Sequence, residues 1–310
     1  MVRSVLATAY GGPEVLAVVE TDPGVPGPGE VLLDMRAAGV NPADWKTYNG
    51  TWGHDPAKLP LRLGFEVAGV VAAVGPEVEW PAVGDEVVGW PVRGAYADRL
   101  VVRADRLVAK PPSLEWAPAG GLLLTGTTAW HAVTAVHAGA GDTVLVHGAT
   151  GGVGSIVVQL ARMRGARVVG TAAPENHEHL VELGALPVAY GPGLADRVRA
   201  VAPRVSAAID VAGTDEALDV SLELVGDRRR VATVANFQRG PALGIQVLGH
   251  GPGADPGTTV RADARRRLVE MAGDRRLRVH VGATYHLADV ARAHRAGIDG
   301  VVRGKIVLVP

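Results

Sequence analysis

The sequence predicts an α/β protein: a doubly wound parallel sheet joined to a β-rich domain. Three observations carry this expectation. Residues 143–167 read as strand, glycine turn and helix; strand and helix then alternate through the middle of the chain; and residues 1–110 break into short strand-like runs.

The central stretch is TVLVHGATGGVGSIVVQLARMRGAR, Thr143–Arg167. Val144, Leu145 and Val146 form an apolar run suited to a strand buried on both faces. Gly148, Gly151, Gly152 and Gly154 follow, and Val153, Ile156, Val157, Leu160 and Ala161 then recur at the spacing of one helix face. Glycines in this context let the backbone approach a pyrophosphate, and the helix N-terminus offers free N–H donors and a positive dipole. The spacing G-x-x-G-x-x-G departs from the commoner G-x-G-x-x-G, so the flanking strand and helix carry the dinucleotide site as much as the glycines do.

In chain order, strand-like runs fall at Arg3–Thr8, Glu30–Ala38, Ala68–Val74, Glu86–Gly89 and Leu100–Val102. Turns such as Gly11-Gly12-Pro13, Pro26-Gly27-Pro28-Gly29 and Val83-Gly84-Asp85 separate them, which suggests a small barrel or sandwich. Pro111-Pro112 marks a junction, and Leu122–Val136 reads as helix. After the glycine turn come strands at Val168–Thr171, Pro187–Tyr190, Ala207–Val211, Arg230–Ala235 and Leu243–Leu248. Helices near His177–Leu183, Leu194–Val201 and Asp215–Leu224 alternate with them, as a parallel sheet requires. The tail reads as helix (Ala262–Met271), strand (Val279–Gly282), helix (Leu287–Ala296) and a last strand, Lys305–Val309, that pairs back into the first domain.

Composition narrows the function classes. The chain has 310 residues, a net charge of −1 and no cysteine. Disulfides, thiolate zinc sites and cysteine nucleophiles are therefore excluded together, and the balanced charge argues against nucleic-acid or acidic-membrane partners. The arginine clusters Arg228–Arg230, Arg265–Arg267 and Arg275–Arg278 read as solvated faces. The opening MVRSVLATAY lacks a signal-peptide pattern, and no apolar run is long enough to span a bilayer, so a soluble cytoplasmic protein is expected.

Several stretches coincide with one family. EVLLDMRAAGVN (30–41) with Pro42-Ala43-Asp44-Trp45-Lys46, Gly64-Phe65-Glu66 and the following VAGVV, Val83-Gly84-Asp85-Glu86-Val87, HGATGGVG (147–154) and Arg303-Gly304-Lys305-Ile306-Val307 occur in order over nearly the whole chain. Together they resemble the medium-chain dehydrogenase/reductase superfamily, and within it the zinc-free quinone oxidoreductases and enoyl or enone reductases. The resemblance implies a Rossmann domain (118–261) inserted in a GroES-like substrate domain (1–117 and 262–310), with the active site in the cleft between them and a homodimer as the assembly. Zinc members place a histidine beside the Gly-x-Glu motif, where this chain has Phe65. His177 and His179 point to different sides of a helix and supply no substitute. Without a Lewis acid, conjugate reduction fits better than ketone reduction, because hydrogen bonds alone stabilise the charge that spreads onto a carbonyl.

The resemblance also assigns residues. It puts Asn41 near the nicotinamide, able to orient the ring or to donate to a developing oxyanion; a plain Asn-Pro turn is the alternative. Thr127 matches a nicotinamide-amide contact, or else satisfies its own helix backbone. His131 and His137 read as helix residues rather than acids. Trp52 and Lys46 stand where related reductases carry tyrosines. Trp52 then serves as an apolar wall for a flat substrate or as ordinary loop packing. The proton donor is left to Lys46, to Tyr48 on the same face if the stretch is extended, or to water.

For the cofactor, Gly148, Gly151, Gly152, Val153 and Gly154 form the phosphate turn, and Lys305 joins the cofactor contacts. The second strand of this sheet ends Thr171-Ala172-Ala173 with no acid before Glu175. A carboxylate that would repel a 2′-phosphate is thus missing, and NADPH is expected over NADH. Asn176 or His177 occupies the place of the family's lysine, and Tyr190 matches a tyrosine that packs by the adenosine phosphate. The substrate expected is a small quinone or α,β-unsaturated carbonyl. The alternatives are an enoyl reductase acting on a polyketide or acyl thioester, and a catalytically silent nucleotide-binding protein.

Overall fold

The computed structural model describes residues 1–251 and 253–310. Strands run in chain order as β1 (Val2–Ala7), β2 (Leu16–Thr21), β3 (Glu30–Val40), β4 (Leu61–Arg62), β5 (Val67–Val74), β6 (Glu86–Gly89), β7 (Arg99–Arg103) and β8 (Leu107–Ala109). They continue as β9 (Thr143–His147), β10 (Arg167–Thr171), β11 (Leu186–Val188), β12 (Ala207–Asp210), β13 (Val231–Thr233), β14 (Gln246–Val247), β15 (Val281–His286) and β16 (Lys305–Val309). The helices are α1 (Pro42–Tyr48), α2 (Trp116–Gly120), α3 (Leu123–Ala135), α4 (Gly152–Met163) and α5 (His177–Glu182). After them come α6 (Leu194–Val201), α7 (Asp215–Leu224), α8 (Thr258–Gly273) and α9 (Val290–Ile298).

The chain divides into two compact units, residues 1–124 with 265–310, and residues 125–264. The divisions lie a few residues after the junctions expected from sequence at 117/118 and 261/262. In the first unit, β3 is the spine: it pairs antiparallel with β5, β7 and β16. Its burial alternates at first and becomes continuous from Ala37 to Val40, where β16 lies alongside. The last strand thus returns to the first domain, with Ile306 opposite Val40 and Leu308 opposite Ala38. The seven-stranded sheet runs β15-β16-β3-β5-β6-β8 with β7 beside β3, and a separate sheet has the order β2-β1-β4. Leu33, Met35, Val67, Tyr48, Tyr96 and Leu308 are among the side chains closing the core.

The second unit holds a six-stranded sheet in the order β11-β10-β9-β12-β13-β14, every pair parallel. This is the 3-2-1-4-5-6 order of a Rossmann fold, with strand order reversing at β9, so the loop after β9 lies at the topological switch point. Its strands are short and apolar because helices cover both faces; Leu145, Val169, Ala208 and Val231 are buried between them.

Two points left by the sequence are settled here. The stretch carrying Lys46 and Tyr48 is helix α1, not extended chain, because Pro42 takes the first helical position and Asp44 closes the first turn. The strand expected at 279–282 is β15, which begins at Val281 and continues to His286, paired parallel with β16. No helix among the described residues is long and apolar enough to cross a membrane.

Candidate cofactor-binding and active-site residues

The glycine turn is built from the end of β9. Gly148 has φ +71°, and its N–H donates to Thr171 Oγ1 at 3.1 Å, while Ala149 N–H donates to the Thr171 carbonyl at 3.1 Å. A side chain at Gly154 would bring Cβ to 2.2 Å from the Gly148 carbonyl oxygen, so only glycine lets α4 start so close to the turn. Gly151 is the N-cap of α4 and brings no side-chain acceptor to the helix's first N–H groups. An uncapped N-terminus of a buried helix, reached through bare backbone, fits a pyrophosphate. Gly152, Val153 and Gly154 supply that first turn.

The walls beside it are fixed by internal hydrogen bonds. His147 Nε2 lies 3.1 Å from Ser221 Oγ, whose proton goes to the Ala217 carbonyl at 2.6 Å, so the imidazole donates. Burial pushes His147 down to about 4 and keeps it neutral. Asp210, at the end of β12, accepts from the N–H groups of Ala212 and Gly213 at 2.9 Å each and from Thr233 Oγ1 at 2.7 Å.

At the end of β10, Thr171 is buried and its hydroxyl oxygen is the acceptor for Gly148, so it braces the turn and does not face outward. Ala173 is half-buried, and Asn176 and His177 follow half-buried, with His177 Nε2 3.3 Å from the Ala172 carbonyl. Tyr190 is 59% exposed on the turn after β11, and Ala172 N–H donates to Val188 O, so this turn stands beside the end of β10. Thr127 is buried within α3. His131 is held on both sides: Nδ1 accepts from Arg261 Nε at 3.3 Å, and Nε2 lies 3.2 Å from Asp255 Oδ2.

In the first unit the end of β3 carries a buried polar cluster. Asn41 Nδ2 donates to Gly39 O at 3.1 Å and to Glu66 Oε1 at 3.0 Å, while Asn41 Oδ1 accepts from Lys305 Nζ. Lys305 Nζ also donates to Val40 O at 3.1 Å and pairs with Glu66 Oε1 at 2.7 Å, both side chains being almost wholly buried. Glu66 Oε2 takes the Leu124 N–H at 2.9 Å. Asp44 accepts from Asn41 N–H at 2.8 Å and Gly64 N–H at 3.0 Å, and burial raises its carboxyl to about 7.

Three expected roles change on this geometry. All three ammonium protons of Lys305 are taken by partners within its own unit, so it neutralises buried Glu66 and has no donor left for a cofactor. Both amide hydrogens of Asn41 are engaged, so it cannot donate to an oxyanion as it stands. Tyr48 is fully buried, its hydroxyl 2.9 Å from His294 Nδ1, and burial raises its pKa, so it is a core residue and no acid.

Lys46, two residues earlier on α1, is half-buried, and desolvation lowers its pKa. Trp52 exposes 41% of its surface, and its N–H donates to the Lys46 carbonyl at 3.3 Å, which ties the loop to the helix. Phe65 is half-buried, and no three His, Asp or Glu side chains gather as a metal would require among the described residues. Sequence reasoning missed Asp44 and Glu66 as members of the cluster. The Asn41-x-x-Asp44 spacing ahead of a helix was the readable signal for the first; nothing local marks the pairing of Glu66 with Lys305.

Residues 27–112 match the alcohol dehydrogenase GroES-like domain, and residues 183–308 match the zinc-binding dehydrogenase family. A quinone oxidoreductase of Pseudomonas aeruginosa is 31% identical over 331 residues, covering 100% of both chains. A mycobacterial protein solved in complex with NADPH is 31% identical, with a TM-score of 0.87 over 99% of this chain and 100% of that one. The Escherichia coli quinone oxidoreductase, also solved with NADPH, is 26% identical with a TM-score of 0.87 over 99% of this chain and 100% of that one. With the Rossmann strand order, the glycine turn and a relative matched end to end, the chain belongs to the medium-chain dehydrogenase/reductase superfamily of oxidoreductases, among the quinone oxidoreductases.

Proposed function

We propose that this protein is an NADPH-dependent oxidoreductase that reduces quinones or α,β-unsaturated carbonyl compounds without zinc. The observation that carries the reading is the uncapped N-terminus of α4 behind a turn that only glycine can form, next to a second strand that ends Thr171-Ala172-Ala173 without an acid. Gly148, Gly151, Gly152, Val153 and Gly154 would hold the pyrophosphate, Asn176, His177 and Tyr190 the adenosine end, and Thr127 the nicotinamide amide. When bound, NADPH supplies the hydride.

The chain's own residues have narrower tasks. Asn41, clamped by Lys305, Glu66 and Gly39, would present a fixed amide to the ring or the substrate. Phe65 stands where a zinc ligand would be needed, and conjugate reduction asks for no Lewis acid. Lys46, with its pKa lowered by burial, holds the proton that completes the reduction, and Trp52 offers a flat apolar surface.

The test is a panel of quinones, free enones and an enoyl thioester, assayed with both cofactors on protein dialysed against a strong chelator. Turnover of quinones or enones, unchanged by dialysis and with a higher kcat/KM for NADPH than for NADH, is the expected result. Turnover of the thioester alone would move the substrate to an acyl carrier, and activity lost with tightly held zinc would overturn the metal-free reading.

A further inference from the structure

We infer that Arg197 is a positioning residue for the adenosine end of the cofactor and acts through Tyr190. The inference rests on the proposed role of Tyr190 as a cofactor contact. Tyr190 sits in the sequence Ala189-Tyr190-Gly191-Pro192-Gly193 between β11 and α6. Gly191 and Gly193 have φ +99° and +78°, conformations that leave such a turn little restraint of its own. Tyr190 exposes 59% of its surface, so packing does not fix the turn either.

Side chains from two helices do. Arg197 lies in the first turn of α6, where a long side chain leans back over the helix N-terminus. Its guanidinium donates from Nε to Ala189 O at 3.0 Å, from Nη2 to Gly191 O at 2.7 Å and from Nη1 to Pro192 O at 2.7 Å. Glu216, in α7, accepts the Gly191 N–H at 3.0 Å. The backbone is therefore held immediately before and immediately after Tyr190. No carboxylate lies within ion-pair distance of Arg197 among the described residues, so the planar fork is committed to three carbonyls and not to a salt bridge.

The location gives the clamp its meaning. Ala172 N–H donates to Val188 O, so the Tyr190 turn stands beside the strand end where Ala172 and Ala173 replace the acid of NAD-binding folds. A turn fixed on both sides of Tyr190 presents its exposed ring beside that strand end as a platform for a flat, phosphorylated nucleoside. Pre-ordering removes the entropy cost of fixing the turn at the moment of binding.

The experiment measures binding of 2′,5′-ADP by calorimetry to the full chain and to Tyr190→Ala, Arg197→Met, Arg197→Lys and the Tyr190→Ala/Arg197→Met double variant. Each Ala or Met variant is expected to bind about tenfold more weakly, and the double variant about as weakly as Tyr190→Ala, because both changes remove one platform. Arg197→Lys keeps the charge but cannot span three carbonyls, so it should behave like Arg197→Met. In turnover, KM for NADPH should rise with kcat unchanged. Native affinity in Arg197→Met, additive losses in the double variant, or rescue by lysine would each overturn the positioning role. If Arg197→Met does not fold, Glu216→Ala removes the acceptor for the Gly191 N–H, loosens the same turn from the other side and must give the same loss. Failure of the native chain to bind 2′,5′-ADP overturns the NADPH reading itself, and this inference with it.

Discussion

Lys46 and Tyr48 are two residues apart, yet helix α1 sends them to opposite fates. About 100° per residue separates their directions by some 200°. Tyr48 goes inward to His294 and the core, while Lys46 stays half-exposed. Tyr48→Phe should therefore leave kcat unchanged and lower stability by about 1–3 kcal/mol, since a buried imidazole nitrogen loses its partner. Lys46→Met should cost ~10²-fold in kcat and remove the basic limb of the pH–rate profile, because a lysine acid is lost as pH rises through its pKa. Stopped-flow rates with an enone across pH 5–10 check both. Native-like kcat in Lys46→Met would assign the proton to water. From sequence, the polar types at 41, 46 and 48 are legible, but not the direction of each side chain, because Asn-Pro-Ala-Asp suits a turn into extended chain as well as the start of a helix. The role of Lys305 is hidden for a different reason: its partners Glu66 and Asn41 lie more than 200 residues away and meet it only when β16 pairs with β3.

At the level of elements, the Rossmann strands and the glycine turn were readable because each signal is local: apolar runs, glycine positions and helical spacing all lie within one stretch of chain. The first unit was harder, since its long strand β3 serves three antiparallel partners and no short window records which. The cofactor prediction belongs to this scale. The strand end of β10 carries no acid, but Thr171 is the wrong place to install one, because its hydroxyl braces Gly148. Ala173 is better: it is the N-cap of a short 3-10 turn, Pro174–Asn176, and is only half-buried. Aspartate is favoured at an N-cap, so Ala173→Asp should fold as well as the native chain or better. Its carboxylate beside a 2′-phosphate should penalise NADPH by about 2 kcal/mol, close to thirtyfold in kcat/KM, with NADH little affected. Steady-state kinetics with both cofactors and a thermal melt check this; an unchanged NADPH preference would mean that the 2′-phosphate is held elsewhere.

Over the whole molecule, buried titratable groups set how stability responds to acid, and they pull in opposite directions. Burial holds His147 and His294 at about 4, against 6.5 when unfolded. Between those values the unfolded chain takes up protons that the folded chain refuses, so their contribution is fully present above 6.5 and lost as pH falls toward 4. His131 and His250 are also lowered by burial and act in the same sense. Asp44 does the reverse. Its folded pKa of about 7 lies above the unfolded 3.8, so the folded chain takes up its proton first and gains stability as pH falls through 7. Asp210, raised by burial, adds to that side. Asp44 thus offsets about one of the histidine protons over the range from 6.5 to 4. Replacing it removes the offset: Asp44→Asn keeps one oxygen, enough for the Asn41 or the Gly64 N–H but not both, and no longer titrates, so its stability at neutral pH falls while the slope isolates the titration. The expected result is a steeper loss of stability on acidification than in the native chain, by about 1.4 kcal/mol per pH unit, whatever the variant's stability at neutral pH. Urea unfolding at half-unit steps from pH 7 to 4.5 measures the slope directly. Parallel slopes for the two proteins would mean that Asp44 stays ionised in the folded state, with Lys305 compensating the buried charge.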